Sequence, residues 1–380
     1  MRVRIDRNEL AGAFGDVGTS LPLLVGMIAA AGLDGGSVFA LFGVLQIATG
    51  IAYGIPMPVQ PLKAVAVLVI TQRVAPGVIA GAGVAIGVAM LLLTATGATQ
   101  WIARTVPRSV VRGLQLGLGL QLATLAVADY MPSDGMRGLG LALLSLIAIA
   151  MLLGNRRIPP ALIVVALGAA YAFAFLVDAR DVAGWIQPAI PILRVPSAGE
   201  IATGFLVLAL PQVPLSLGNS LLATRQVAHD LYPERDVTVR GLGFTYAAMN
   251  LVAPWLGGVP VCHGSGGLAG HHAFGARTGG SPVIIGSVYV AAGLLFGAGA
   301  SRLTSLFPLP ALGALLVVEG IALARFSREL VPRRGELLLA LAVALAAVAL
   351  PYGYAVGMVI GTAVWHLVRT LRGRPLADAS

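Results

Sequence analysis

Apolar runs separated by short polar or Gly/Pro-rich interruptions repeat along the whole chain; 138–153, 160–177, 281–298 and 337–350 are examples. Runs of this length approach what an α-helix needs to cross a hydrocarbon core. The alternating ten-residue segments of a membrane β-barrel are absent. Lipid offers the backbone no hydrogen-bond partner, so helix is the expected state of every span, and a short strand survives only under cover of protein. Segmentation at Gly, Pro and Arg predicts fourteen helices, starting near residues 9, 36, 61, 76, 108, 136, 159, 200, 238, 263, 281, 309, 336 and 354. The third and tenth are too short to span, and each follows a Pro-containing extended run. Their separation by seven predicts two seven-helix repeats, 1–177 and 200–370, with an external linker at 178–199 and a short cytoplasmic tail at 371–380. An odd number of helices per repeat inverts the second copy relative to the first, as in many secondary transporters. Pro58-Val59-Gln60 before the third helix and Pro260-Val261-Cys262 before the tenth form a faint echo.

Composition fixes the solvent. With 57% hydrophobic and 11% charged residues over 380 positions, the chain has too little polar surface to coat a soluble globule. A net charge of +9 raises the question of nucleic acid. The basic residues are spread along the chain, however, and no nucleic-acid motif accompanies them, so no nucleic-acid partner is expected. Their placement reads as topology. With the N-terminus inside, the inner segments hold 19 arginines and the outer ones 5, namely Arg73, Arg137, Arg180, Arg194 and Arg302. That is the bias of the positive-inside rule, so both termini are expected to be cytoplasmic, in a membrane of the bacterial inner (plasma) type. Cys262 is the only cysteine, which excludes an intrachain disulfide. The first apolar stretch, interrupted by Gly15 and Asp16, reads as a spanning helix rather than a cleavable signal.

Four polar, Gly/Pro-broken segments stand out: FGDVGTSLP (14–22), PMPVQPLK (56–63), LPQVPLSLGNS (210–220) and GGVPVCHGSGGLAGHHAFGAR (257–277). They fall in predicted helices one, three, eight and ten, where irregular backbone must line a cavity or pack in protein. Lys63 is the only lysine and opens the first short helix; an intramembrane charge marks a pathway, a ligand or a counter-ion. The alternative is a structural salt bridge to Asp16 or Glu319. His263 with Gly264, Ser265, Gly266 and Gly267 begins the second short helix, and two facing helix N-termini make an anion site. Asp16 and Glu319, the latter in the apolar run 315–324, are candidates for ion coupling, or for structural pairing, while the hydroxyls of Thr19 and Ser20 beside Asp16 are candidates for binding substrate. Gln212 and Asn219 offer donors to a substrate oxygen, or hydrogen bonds between packed helices. His263, His271 and His272 do not share one helical face, so neither a metal nor a cofactor is expected. No nucleophile elbow, HExxH or P-loop occurs, which argues against an enzyme.

The same four segments resemble the signature stretches of the molybdate transporter family, distant relatives of the SulP sulfate permeases, and the resemblance runs over nearly the whole chain. It implies an all-α polytopic SulP/UraA-like fold, with a core domain (helices 1–4 and 8–11) and a gate domain (5–7 and 12–14). It also implies an oxyanion held between the third and tenth helices, with Gln60, Lys63, His263, Gly264 and Ser265 near the substrate. Many SulP permeases carry a STAS domain after the last helix; here a short tail follows Arg374, as in the molybdate branch. The expected protein is therefore a secondary transporter of molybdate or a related tetrahedral oxyanion, working by elevator-type motion. A proton or cation is a candidate co-substrate and a homodimer a candidate assembly. The competing readings are a sulfate or nucleobase permease of the same architecture, and an anion channel.

Overall fold

The computed structural model describes residues 3–155 and 158–371. Arg2, Arg156, Arg157, Arg372 and Arg374, which count among the 19 inner arginines, and residues 372–380 of the expected tail lie outside them. The first half comprises α1 (Arg7–Ala13), α2 (Val17–Ala31), α3 (Gly35–Tyr53), β1 (Gln60–Pro61), α4 (Lys63–Gln72), α5 (Pro76–Ala95), α6 (Ala98–Thr105), α7 (Arg108–Leu125), α8 (Gly135–Met151) and α9 (Pro160–Phe175). The second comprises α10 (Ala198–Gly204), α11 (Leu210–Leu215), α12 (Thr224–Leu231), α13 (Val239–Val252), β2 (Val261–Cys262), α14 (Ser265–Ala273), α15 (Gly280–Phe296), α16 (Ala300–Leu303), α17 (Leu309–Arg325), α18 (Arg334–Ala349) and α19 (Gly353–Leu371). A helix lies in each of the fourteen predicted ranges. Among the described residues, seven helices are individually long and apolar enough to cross a bilayer, or eight when the bent pair α1/α2 counts as one. The lipid-facing band is plain on the outer helices, where Leu143, Ile147, Leu341, Leu345, Val359 and Ile360 are exposed. On a soluble monomer so much apolar surface would be an anomaly.

Three of the four polar segments are broken as expected. At the first, α1 and α2 meet at 44°, and the break lets Gly12 and Gly15 lie directly on the backbone of Gly270 and His271, where a Cβ has no room. The third segment corrects the expectation, because 210–220 is continuous helix rather than an unwound stretch. Its α-helical part, α11, sits between two π-helical stretches, Phe205–Ala209 and Ser216–Ala223, the second of which takes in the rest of the segment. Pro211 and Pro214 remove two N–H donors, and wider π turns absorb the mismatch without breaking the rod.

The two half-helices are introduced by β1 and β2, which pair antiparallel with Gln60 opposite Cys262 and Pro61 opposite Val261. The echoed tripeptides therefore meet end to end, with the last residue of each, Gln60 and Cys262, across from the other. A two-stranded ribbon at membrane depth leaves outer backbone edges that must find partners. Two side-chain amides close them. Gln46 of α3 donates to Val59 O (2.9 Å) and accepts from Val59 N (3.0 Å), and Asn250 of α13 donates to Val261 O (2.7 Å) and accepts from Val261 N (2.9 Å).

Helix packing follows the same symmetry. α3 packs on α15 as α13 packs on α5; α8 packs on α17 as α18 packs on α7; α8 packs on α9 as α18 packs on α19. Each pairing recurs when both partners shift by seven spans. The antiparallel ribbon, where the equivalent segments of the two halves meet, fits an inverted relation between them. The ends are stitched by Glu9, whose carboxylate accepts the backbone N–H groups of Arg277 (2.9 Å), Thr278 (2.8 Å) and Ser281 (3.0 Å) at the start of α15. The stretch between the halves packs down too, with Ile192 N–H donating to Ser37 Oγ and Arg194 N–H to Trp255 O.

Candidate functional site

α4 and α14 each start just after a strand of the buried ribbon, and each presents its N-terminal N–H groups and a positive dipole end there. Neither has a side-chain cap from its own N-cap residue, Leu62 or Gly264. Acceptors from other helices stand there instead. Gln212 Oε1 takes the Ala64 N–H at 3.0 Å; the Gln212 amide nitrogen in turn donates to Ser216 Oγ (3.2 Å), which lies 2.7 Å from the Tyr246 hydroxyl. Ser265 Oγ donates to Asn219 Oδ1 at 3.2 Å. The Lys63 ammonium is paired with Glu319 Oε1, and Thr19 Oγ1 donates to Glu319 Oε2 at 3.0 Å. Of the two partners the sequence offered for Lys63, the fold selects Glu319. Lys63, Gln115, Gln212, Asn219, Ser220 and Cys262 line a cavity of ≈ 20 Å³, room for a water but not for a tetrahedral dianion.

The other expected site residues divide between two places. Gln60 and Ser20 turn to Asp16: the Gln60 amide nitrogen donates to Asp16 Oδ1, and Ser20 Oγ donates to Oδ2 at 2.8 Å. Gln60 Oε1 is buried without a partner among the described residues and lies against Gly264, where any Cβ would strike it. Gly267 abuts the same group, since a Cβ there would stand 2.9 Å from the Asp16 carboxyl and the Gln60 nitrogen. Gly266 faces open space.

His263 precedes α14 and is fully buried. Its Nδ1 donates to Pro58 O (3.2 Å), its Nε2 lies 2.7 Å from Thr245 Oγ1, and its ring meets Tyr53 edge-on. Both ring nitrogens are thus engaged with the protein. Sequence reasoning missed Tyr53, Thr245, Ser216 and Tyr246, which carry no local signal. Gln46 and Asn250 did leave one, each being an amide in an apolar helix, 13 residues ahead of Val59 just before β1 and 11 residues ahead of Val261 in β2.

Residues 8–122 and 204–323 match the family described as "Molybdate transporter of MFS superfamily". Molybdate transporter 2 of Arabidopsis thaliana is 34% identical, covering 93% of this chain and 86% of its own length. Molybdate transporter 1 of Chlamydomonas reinhardtii is 30% identical, covering 93% and 90%. Among solved structures, the transmembrane domain of a cyanobacterium bicarbonate transporter, BicA, superposes with TM-score 0.68 at 19% identity, over 94% of this chain and 98% of that one. Murine Solute Carrier 26 family member A9 in the inward-facing state gives 0.73 at 15% identity, over 98% and 69%. These two likenesses concern the fold alone.

Proposed function

Because this chain belongs to the molybdate transporter family, an integral membrane family of transporters rather than enzymes, we propose that it carries molybdate or a closely related tetrahedral oxyanion by elevator-type alternating access. The observation that carries this reading is that Lys63, Gln212 and Asn219 line one cavity by the start of α4, that Asn219 ties it to Ser265 at the start of α14, and that the protein's own acceptors are seated on the donors. Glu319 occupies Lys63, Gln212 Oε1 occupies the Ala64 N–H, and Asn219 Oδ1 occupies Ser265. A tetrahedral dianion presents acceptor oxygens in several directions and is suited to replace all three. His263 acts from behind, holding the chain that leads into α14.

The proposed moving bodies are a core of α1–α5 and α10–α15 and a gate of α7–α9 and α17–α19. Lys63 and Thr19 belong to the core and Glu319 to the gate, so sliding one past the other has to break the Lys63–Glu319 pair. An oxyanion that takes over Lys63 supplies the replacement charge, which ties release of the core to binding. The arginine distribution supports an orientation with both termini cytoplasmic.

Equilibrium competition on purified protein tests the substrate class. Molybdate and tungstate are expected to displace labelled molybdate, while uracil, which brings ring N–H donors to a site built of donors, is not. Displacement by sulfate or phosphate at lower concentration than molybdate would overturn the molybdate assignment within the oxyanion reading. Glu319→Gln tests the lock. Removing a competing carboxylate worth about 1 kcal/mol is expected to tighten molybdate binding about fivefold and to slow uptake. Unchanged affinity in this variant would remove Glu319 from any competition with substrate.

A further inference from the structure

Beside the Asp16 carboxylate to which Gln60 donates lies a second polar pocket that the transport reading leaves unused. Asp16, Ser20, Gln46, His271 and Tyr289 line a cavity of ≈ 10 Å³ between α2, α3, α14 and α15, about the space of one water. His271 is completely buried. Its Nδ1 lies 2.7 Å from Gly12 O and 2.8 Å from Ser281 Oγ. A carbonyl only accepts, so Nδ1 carries the hydrogen, and Nε2 of the neutral ring presents a lone pair. That lone pair has no partner among the described residues. Asp16 accepts one hydrogen bond on each carboxylate oxygen, from Gln60 and Ser20, which leaves acceptor capacity on both.

We propose that this pocket is a proton-binding site in which Asp16 and His271 share one proton through a single bridging water, and that this proton is the ion coupled to oxyanion transport. The transfer balances. The Asp16 carboxyl O–H breaks and gives its proton to the water; the water gives one of its own to Nε2, forming imidazolium and carboxylate with the water restored. The groups around the pair suit one exchangeable proton. Tyr289 of α15 lines the same cavity, while Gln46 of α3 has its amide committed to Val59. Glu9 of α1 is held by three backbone N–H groups, and His272 of α14 turns away to the Tyr232 hydroxyl at 3.0 Å. The charges of Lys63 and Glu319 reach Asp16 from the substrate side. Gln60 and Gly267 connect the two sites mechanically, because loss of the Asp16 charge weakens the bond that holds Gln60 against the start of α14.

The coupling half of the proposal rests on the transport reading above; the proton site itself does not. His271→Asn keeps a nitrogen donor for Gly12 O and deletes the Nε2 position. In protein reconstituted in vesicles with a pH-sensitive dye inside, wild type is expected to acidify the lumen when external molybdate is added. The variant should bind molybdate within about threefold of wild type yet lose at least tenfold of this proton movement and the pH dependence of uptake. Wild-type proton movement in His271→Asn would overturn the proposal. Nitrogen NMR of histidine-labelled wild type provides a readout that needs neither transport nor a His271 variant: Nε2 of His271 should titrate, and Asp16→Asn should move its midpoint by at least one pH unit. A His271 signal indifferent to Asp16→Asn would sink the shared-proton site. Failure of wild type to bind molybdate, with the NMR coupling intact, would defeat the substrate reading and leave the proton site standing.

Discussion

Lys63→Met is expected to weaken oxyanion binding by roughly ten- to a thousandfold, the range of about 1.5 to 4 kcal/mol that charge-assisted contacts contribute. Two effects act in the same direction. The substitution removes the ammonium at the start of α4, and among the described residues it leaves the Glu319 carboxylate with only the Thr19 hydroxyl as partner, a negative charge beside the place a dianion must enter. Isothermal titration with molybdate measures the loss. Lys63→Arg should recover only part of it, because a planar guanidinium is bulkier than a point charge in the first turn of a packed helix. The decisive control is Lys63→Met with Glu319→Gln, which removes both members of the pair. That double variant should recover folding but not affinity. Full recovery of affinity would make Lys63 a scaffold residue and leave the helix N-termini as the sole anion determinant.

Asn250→Leu should produce the largest loss of stability. Asn250 supplies both partners to Val261 and a further bond to Tyr246 O at 2.9 Å. Leucine fills the space and satisfies none of them. Two buried backbone groups left unpaired at about 1–3 kcal/mol each amount to about 2–6 kcal/mol, a large part of the margin by which a protein stays folded. A lower thermal midpoint in detergent and a smaller monodisperse fraction are the readouts. Gln46→Leu, its counterpart across the ribbon, should cost a similar amount, since Gln46 makes the same two bonds to Val59. An Asn250→Leu protein with the wild-type midpoint would show that the ribbon edge finds other partners and that the clamp is dispensable. Both variants should also weaken molybdate binding, because the ribbon sets where α4 and α14 begin.

Sequence by itself determined the elements and three of the four places where polar segments break them. Hydrocarbon gives an unpaired peptide group nothing to bond to, so each apolar run had to be helix, and its length and bounding Gly, Pro and Arg could be read directly. The same logic located both half-helices, because Pro56, Pro58 and Pro61 before the first, and Pro260 with its neighbouring glycines before the second, cannot continue a helix. Lys63 was legible as an anomaly of composition. What only the tertiary structure decided is who meets whom. Glu319 lies 256 residues from Lys63 and 300 from Thr19, and nothing local distinguishes it from Asp16 as the partner. His263 looked like a ligand from its place before α14, yet Tyr53, Thr245 and Pro58 claim its ring. The prolines of 210–220 looked like a break, but the chain absorbs them in π turns inside a packed rod. Backbone hydrogen bonding is settled within a few residues and is therefore written in short motifs, whereas a buried side chain takes its partner from whichever helix packing brings alongside.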